Sequence, residues 1–333
     1  MWHLYPTHSA DDSKAPSAAT AGRTSARRGR AVFGLAALAT AGVVALAGCG
    51  GGSAGGTGKT GTSGGNGALA DFHKNGITIG YAGEPPYDFK SEQGQVTGMA
   101  PSVGKAIMSN LGISDITWKK VDFSGLIPGL KAGRFDMTMA AASITPQRAK
   151  AVDYTDPVYC VLEALAVKKG NPLNLSDYKS IANNPKAKLA VESGATELKY
   201  AKAVGVPQDQ LVVVSNPSAL VASVKTGRAD AFSLTGITVR SLVEKSGGGQ
   251  LQALKGFNPV VNGEEKISCG GPQFRKDEGA LVKAYNQQLD KLQKNDKVYS
   301  IVKQASPNGD AFGFAKSQFK EAKKHTFAEL SKG

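Results

Sequence analysis

The sequence predicts an α/β protein of two similar lobes, each a mostly parallel sheet flanked by helices. Three observations support this: an internal duplication, short apolar strands set directly after helix ends, and a body long enough for two cores. The segment FSGLIPGLKAGRFD at 123–136 returns as PSALVASVKTGRAD at 217–230, with Ser, Leu, Lys, Gly, Arg and Asp in matching places. In each copy apolar residues at helical spacing (Leu126, Ile127 and Leu130; Leu220, Val221 and Val224) run into Gly133 or Gly227, where a helix ends in a left-handed cap. The strands expected next, Phe135 to Ala140 and Ala229 to Leu234, are short and apolar, as buried parallel strands are. Ligands of open α/β sheets bind beyond the carboxyl ends of such strands, so two lobes place two such edges face to face across a cleft. The body after about residue 67, about 265 residues, suits two lobes with their own cores better than one.

The N-terminal end carries processing signals. Arg23, Arg27, Arg28 and Arg30 precede an apolar stretch from Ala31 to Ala47 that closes on Leu46-Ala47-Gly48-Cys49. A basic region, an apolar region and small residues before the cut define a secretory signal. A cysteine directly after them resembles a lipobox, so 1–48 is expected to be removed and Cys49 to carry lipid. Residues 49–70, rich in Gly, Ser and Thr, bury too little to order themselves and are expected to form a tether. No second apolar segment is long enough to span a bilayer.

The formal net charge is +13, and residues 1–48 account for +3 of it, leaving +10 on the mature chain. Most of that charge is lysine scattered through helical segments, with one cluster at Lys316, Lys320, Lys323 and Lys324. Stacking aromatics are not interleaved with it, which argues against nucleic acid and for a solvated face near anionic lipid. Besides Cys49 only Cys160 and Cys269 remain. Two cysteines in an oxidising compartment are expected to pair, two buried free thiols being the alternative. No cysteine or histidine spacing of a metal site occurs. His73 and His325, the histidines of the body, lie near no motif, so neither a cofactor nor a metal is expected and no catalytic constellation is visible.

Four loops at expected strand ends carry candidate ligand contacts. After the strand Ile77 to Tyr81, Glu84 and Tyr87 leave the sheet at its carboxyl edge, and Pro85 and Pro86 are expected to hold that loop extended. Phe123 precedes the helical periodicity of the first copy and is offered as an aromatic wall. Thr145 is a good N-cap with Pro146 in the first helical position, which puts Arg148 in the first turn with Ser143 just upstream. A guanidinium there takes a carboxylate by two parallel hydrogen bonds; a surface ion pair, for example to Asp153, is the alternative. In the turn after Leu189 to Val191, small residues let the Ala195 amide and the Thr196 hydroxyl approach the same carboxylate from the second lobe.

These motifs, EPPY at 84–87, FSGLIPGL at 123–130, GRFD at 133–136, SITPQR at 143–148, DYTDP at 153–157 and GATE at 194–197, resemble the polar amino acid family of solute-binding proteins from ABC importers. The likeness covers almost all of 71–320. Within that family the chain is most similar to ectoine and hydroxyectoine binders, through Ala100-Pro101-Ser102-Val103, the 167–172 crossover, Gly205-Val206-Pro207 and the Cys160/Cys269 pair. The resemblance implies a two-lobed periplasmic-binding-protein-like type II fold, with 71–164 and 265–325 in lobe 1 and 165–264 in lobe 2. It places the crossings near Ala164 to Lys168 and Lys266 to Gly270. It further implies a monomeric, lipid-anchored protein outside the cell membrane that closes over a small zwitterion and presents it to permease subunits. Glu84 would bind the cationic end, Tyr87 and Phe123 would be cage aromatics, and Arg148 with Ala195 and Thr196 would hold the carboxylate. Two positions depart from the pattern. Ser143 stands where ectoine binders carry a third aromatic, and Thr235 stands where amino acid binders carry an aspartate for the α-amino group. A polar amino acid is therefore the alternative guest, and an exported dehydratase-like enzyme on the same fold is the more distant one.

Overall fold

The computed structural model describes residues 65–332 apart from Ala141. The expected signal segment, the lipidation site Cys49 and the tether up to residue 64 lie outside the described residues. The end of the expected tether is not a tether: Gly65–Asn75 is a helix. Its Leu69 and Phe72, spaced three apart on one helical face, pack against the core cluster that holds Leu281 and Tyr285.

Two five-stranded sheets form the framework. The first runs in the order Ile116–Lys120, Ile77–Tyr81, Met137–Thr138, Gln273–Phe274, Asp153–Tyr154. Ile77–Tyr81 is parallel to both neighbours, and Gln273–Phe274 is antiparallel to both of its own. The second runs Leu211–Val214, Leu189–Glu192, Ala231–Thr235, Glu163–Lys168, Leu251–Ala253. Its first three strands are parallel, and Glu163–Lys168 is antiparallel to the strands beside it. In each sheet the fourth place is thus taken by a strand arriving from a crossing between sheets. Along Glu163–Lys168, Ala164 and Ala166 enter one apolar cluster while Leu165 and Val167 enter another. That alternation is the two-residue period of a strand buried on both faces.

The duplication has a structural reason. The helices Leu126–Lys131 and Pro217–Lys225 end before Gly133 (φ 66°) and Gly227 (φ 78°), which take the left-handed conformation a side chain resists. Three residues later Asp136 accepts from the Thr78 amide at 2.8 Å and returns its own amide to Thr78 O at 2.8 Å. Asp230 does the same to Lys188, at 2.9 and 2.8 Å. Each repeated aspartate therefore fastens the entry of one parallel strand to the start of the next.

Two expectations shift. The strand after the first copy is Met137–Thr138 rather than 135–140, because its neighbour Gln273–Phe274 is only two residues long; hydrogen bonds from Asp136 N to Thr78 O and Met139 N to Gly80 O continue the line on the other side. Residues 164–168 belong to the second sheet, so the first crossing falls upstream: Tyr159–Val161 pairs antiparallel with Ser268–Gly270. The C-terminal basic stretch is two short helices, Lys316–Ala322 and Phe327–Leu330. Lys316 and Lys323 both reach Asp296 and Lys324 reaches Glu321, so three of the four clustered lysines have acidic partners within the chain. Cys160 and Cys269 face each other in the crossing ribbon and are bonded, with Cα atoms 4.0 Å apart.

Candidate functional site

The loops that leave both sheets at their carboxyl ends meet. Glu84 follows Ile77–Tyr81 by three residues, and its segment is a tight turn rather than the extended loop expected from its prolines. The Tyr87 and Asp88 amides both donate to Glu84 O, and the Pro85–Pro86 bond is cis. The wholly buried Asp88 fixes this turn by accepting from the Ala82 and Glu84 amides at 3.1 and 2.8 Å. Glu84, also buried, reaches into the other lobe, where Thr238 Oγ1 donates to its Oε1 at 2.6 Å. Beside it the Tyr87 hydroxyl donates to Thr235 Oγ1 at 3.1 Å. Thr235 also caps the helix Gly236–Ser246.

Arg148 is placed as its local sequence requires. Thr145 is extended and accepts from the Arg148 amide at 3.2 Å, Pro146 opens the helix Pro146–Ala149, and the guanidinium is turned inward. Only 5% of Arg148 is exposed, and Arg148 is the only buried basic side chain among the described residues. Its guanidinium carbon lies 5.2 Å from the centre of the Phe123 ring. One terminal nitrogen donates to Ser143 O at 2.8 Å, and the other crosses to Gly194 O of the facing loop at 2.9 Å. The surface ion pair considered for Arg148 is not made, Asp153 pairing with Lys276 instead. Gly194 itself (φ 81°) lies so near the first lobe that a Cβ there would come within 3.1 Å of Ser124 Cα. At the rim, Lys199 donates to Gln147 at 2.5 Å.

Glu84, Phe123, Ser143, Ala195, Thr196 and Thr235 line one narrow cleft of about 270 Å³. Arg148 and Phe123 line a neighbouring hollow, so Phe123 forms the wall between the two. Two predicted contacts are placed differently. The Tyr87 ring is in the core of the first lobe, 5.1 Å from both Tyr159 and Phe314, and only its hydroxyl points toward the cleft floor. The Ala195 amide folds back on Glu192 O at 3.2 Å, because the turn that opens the helix Thr196–Val204 uses it, and Thr196 Oγ1 donates to Glu197 at 3.4 Å.

The acidity of the cleft is the feature that motif reading missed. Glu192 and Glu197 line it as well, and Glu163 lies buried beneath. Glu163 accepts from the Ser268 hydroxyl through Oε1, while its Oε2 is buried without a donor among the described residues and the Glu197 carboxyl lies close by. Burial raises the pKa of Glu84 and Glu163 well above the ordinary carboxyl range, lifts Glu197 less far, and pushes Glu192 to about 8 and Asp88 to about 7. Repulsion among the acids adds to this for every glutamate but Glu197, whose hydrogen bonds and Arg148 oppose the rise. Glu192 and Glu197 stood within the quoted 191–197 segment; Thr238 and Glu163 carried no signal, as their partners are 154 and 105 residues away.

Paired sheets joined by a crossing ribbon, with polar side chains facing one another from both carboxyl edges, define a two-lobed solute-binding protein of the periplasmic type. Residues 77–306 match the bacterial extracellular solute-binding proteins, family 3, and the chain belongs to that family. It is 34% identical to the probable amino-acid ABC transporter periplasmic-binding protein y4tE of Sinorhizobium fredii over 68% of this chain and 75% of that one. It is 28% identical to the L-arginine-binding protein of Pseudomonas aeruginosa over 68% and 84%. Among solved structures, EhuB in complex with hydroxyectoine is similar with a TM-score of 0.70 and 34% identity, covering 79% of this chain and 97% of that one. The protein is thus a solute-binding component of an amino-acid-type ABC importer, acting outside the cytoplasm.

Proposed function

We propose that the protein is the lipid-anchored, monomeric binding subunit of an ABC importer, that it captures a small zwitterionic carboxylate, and that ectoine and hydroxyectoine are its favoured guests. The observation that carries this reading is the buried Arg148 guanidinium, bridged to both lobes, with the carboxyl of Glu84 in the adjoining cleft. Two of its five N–H groups are given to carbonyls and the Tyr154 hydroxyl lies beside the guanidinium, which still leaves donors for an anion. A carboxylate at Arg148 and a cation at the acidic pole make a dipolar guest the natural one. Phe123 supplies an aromatic face to a delocalised cation, a contact of about 0.5–2 kcal/mol when desolvated. The cleft is narrow, so the solute enters by parting of the lobes and is retained by their closure, which permease subunits then recognise. Binding, not turnover, is the activity proposed.

A polar amino acid is the second reading, favoured by Ser143, a small hydroxyl side chain on the cleft wall. A thermal-shift panel of ectoine, hydroxyectoine, betaines and polar amino acids tests the assignment. Ligand at a hundred times its dissociation constant stabilises by about 2.7 kcal/mol, a rise of about 5–10 °C for a folded body of this size. The largest rise is expected for hydroxyectoine or ectoine; a larger one for arginine would make the protein an amino acid binder, and none for any member would overturn the reading.

A further inference from the structure

The Glu192 carboxyl is an acidic group of the cleft that has no partner among the described residues. It belongs to a residue only 2% exposed, it lines the cavity, and among the described residues nothing donates a hydrogen bond or an ion pair to it. The charged groups near it, Glu84, Asp88 and Asp122 from the first lobe and Glu197 from its own, are all acidic. Glu84 meets it in the same cleft with Oε1 already held by Thr238. Buried polar groups are hydrogen-bonded in stable proteins, and a buried carboxyl among carboxyls is the arrangement most in need of a donor. Fixed side chains of this chain do not supply one, so the donor is water in the open cleft and the guest once the cleft is filled.

We propose that Glu192 is a specificity-determining ligand contact which, together with Glu84, requires the guest's cationic end to offer N–H donors on two sides. The inference rests on the binding reading above and narrows its ligand class. Cyclic amidinium, guanidinium and ammonium carboxylates meet the requirement. A quaternary ammonium carries the same charge and no donor, so it would leave Glu192 and the second oxygen of Glu84 without one. A site built to hydrogen-bond its ligand rejects the analogue lacking that group far more strongly than an apolar pocket rejects a missing methylene. Glu192 also stands on the opposite lobe from Glu84, so a guest held by both would favour closure as well as selectivity.

The test is calorimetric titration of wild type, Glu192→Gln, Glu192→Asp and Arg148→Ala with hydroxyectoine, L-arginine and glycine betaine. Wild type should bind at least one N–H zwitterion about 100-fold or more tighter than glycine betaine. Glu192→Gln, with unliganded melting temperature unchanged or raised, should weaken that ligand by about 10–100-fold and narrow the gap to glycine betaine, while Glu192→Asp should recover part of the loss. Equal binding by Glu192→Gln, or wild-type preference for glycine betaine, while Arg148→Ala still abolishes binding, would overturn the role of Glu192 and leave the importer reading standing. Retention of carboxylate binding by Arg148→Ala, or no binding of any probe by wild type, would instead overturn that reading. If Glu192→Gln fails to fold, an affinity of Glu192→Asp equal to wild type overturns the proposal by itself.

Discussion

Arg148→Ala is expected to remove measurable binding of every carboxylate ligand, with loss of at least about 100-fold in affinity. The side chain holds Ser143 O on one lobe and Gly194 O on the other, and it covers the face of Phe123, so its truncation removes the anion's donor and a tie between lobes together. Folding should survive. Thr145 caps the short helix through the Arg148 backbone amide, which alanine keeps, and Pro146 still starts it. Arg148→Lys should rescue little, because an ammonium cannot span two carbonyls and a carboxylate with a rigid fork. Titration of both variants with the best ligand of the panel checks this; unchanged affinity in the alanine variant would remove the site.

Loss of the Cys160–Cys269 bond is expected to have the largest effect on stability. The bond joins residues 109 apart and ties the two crossing strands at the point where they face each other. Loops of this size are stabilised by up to about 4.7 kcal/mol on the chain-entropy account, and natural bridges typically give about 2–5 kcal/mol. Cys160→Ala with Cys269→Ala should therefore lower the denaturant midpoint of unfolding markedly while ligand affinity changes little, since neither cysteine lines the cleft. A midpoint equal to wild type would show that the ribbon is held by packing and pairing alone.

Much of this architecture was legible because its signals are local. The glycine ends of the two repeated helices and the aspartates that follow them perform the same task in both copies, so similarity of sequence translated directly into similarity of lobes. Thr145, Pro146 and Arg148 form a cap whose geometry is written in consecutive residues. What escaped depends on distance along the chain. Glu163 occupies a strand with no motif, and its burial is set by Ser268 and Glu197, which sequence alone does not bring near. A glutamate in such a strand would ordinarily be placed on a solvated face. Thr238 became a site residue only because the helix Gly236–Ser246 carries it to Glu84. The Ala195 amide is engaged locally, donating to Glu192 O within the turn after Leu189–Glu192, a closure that its small residues do not announce. The resemblance puts the first crossing at Ala164 to Lys168, and only the long-range pairing with Ala231–Thr235 assigns those residues to the second sheet.

Small-angle X-ray scattering of the purified protein, with and without the ligand that gives the largest thermal shift, is the most direct check on lobe closure over a dipolar solute held at Arg148. The radius of gyration should fall on ligand addition in wild type and stay constant in Arg148→Ala at the same concentration. Identical scattering in wild type with and without a saturating, calorimetrically verified ligand would contradict it.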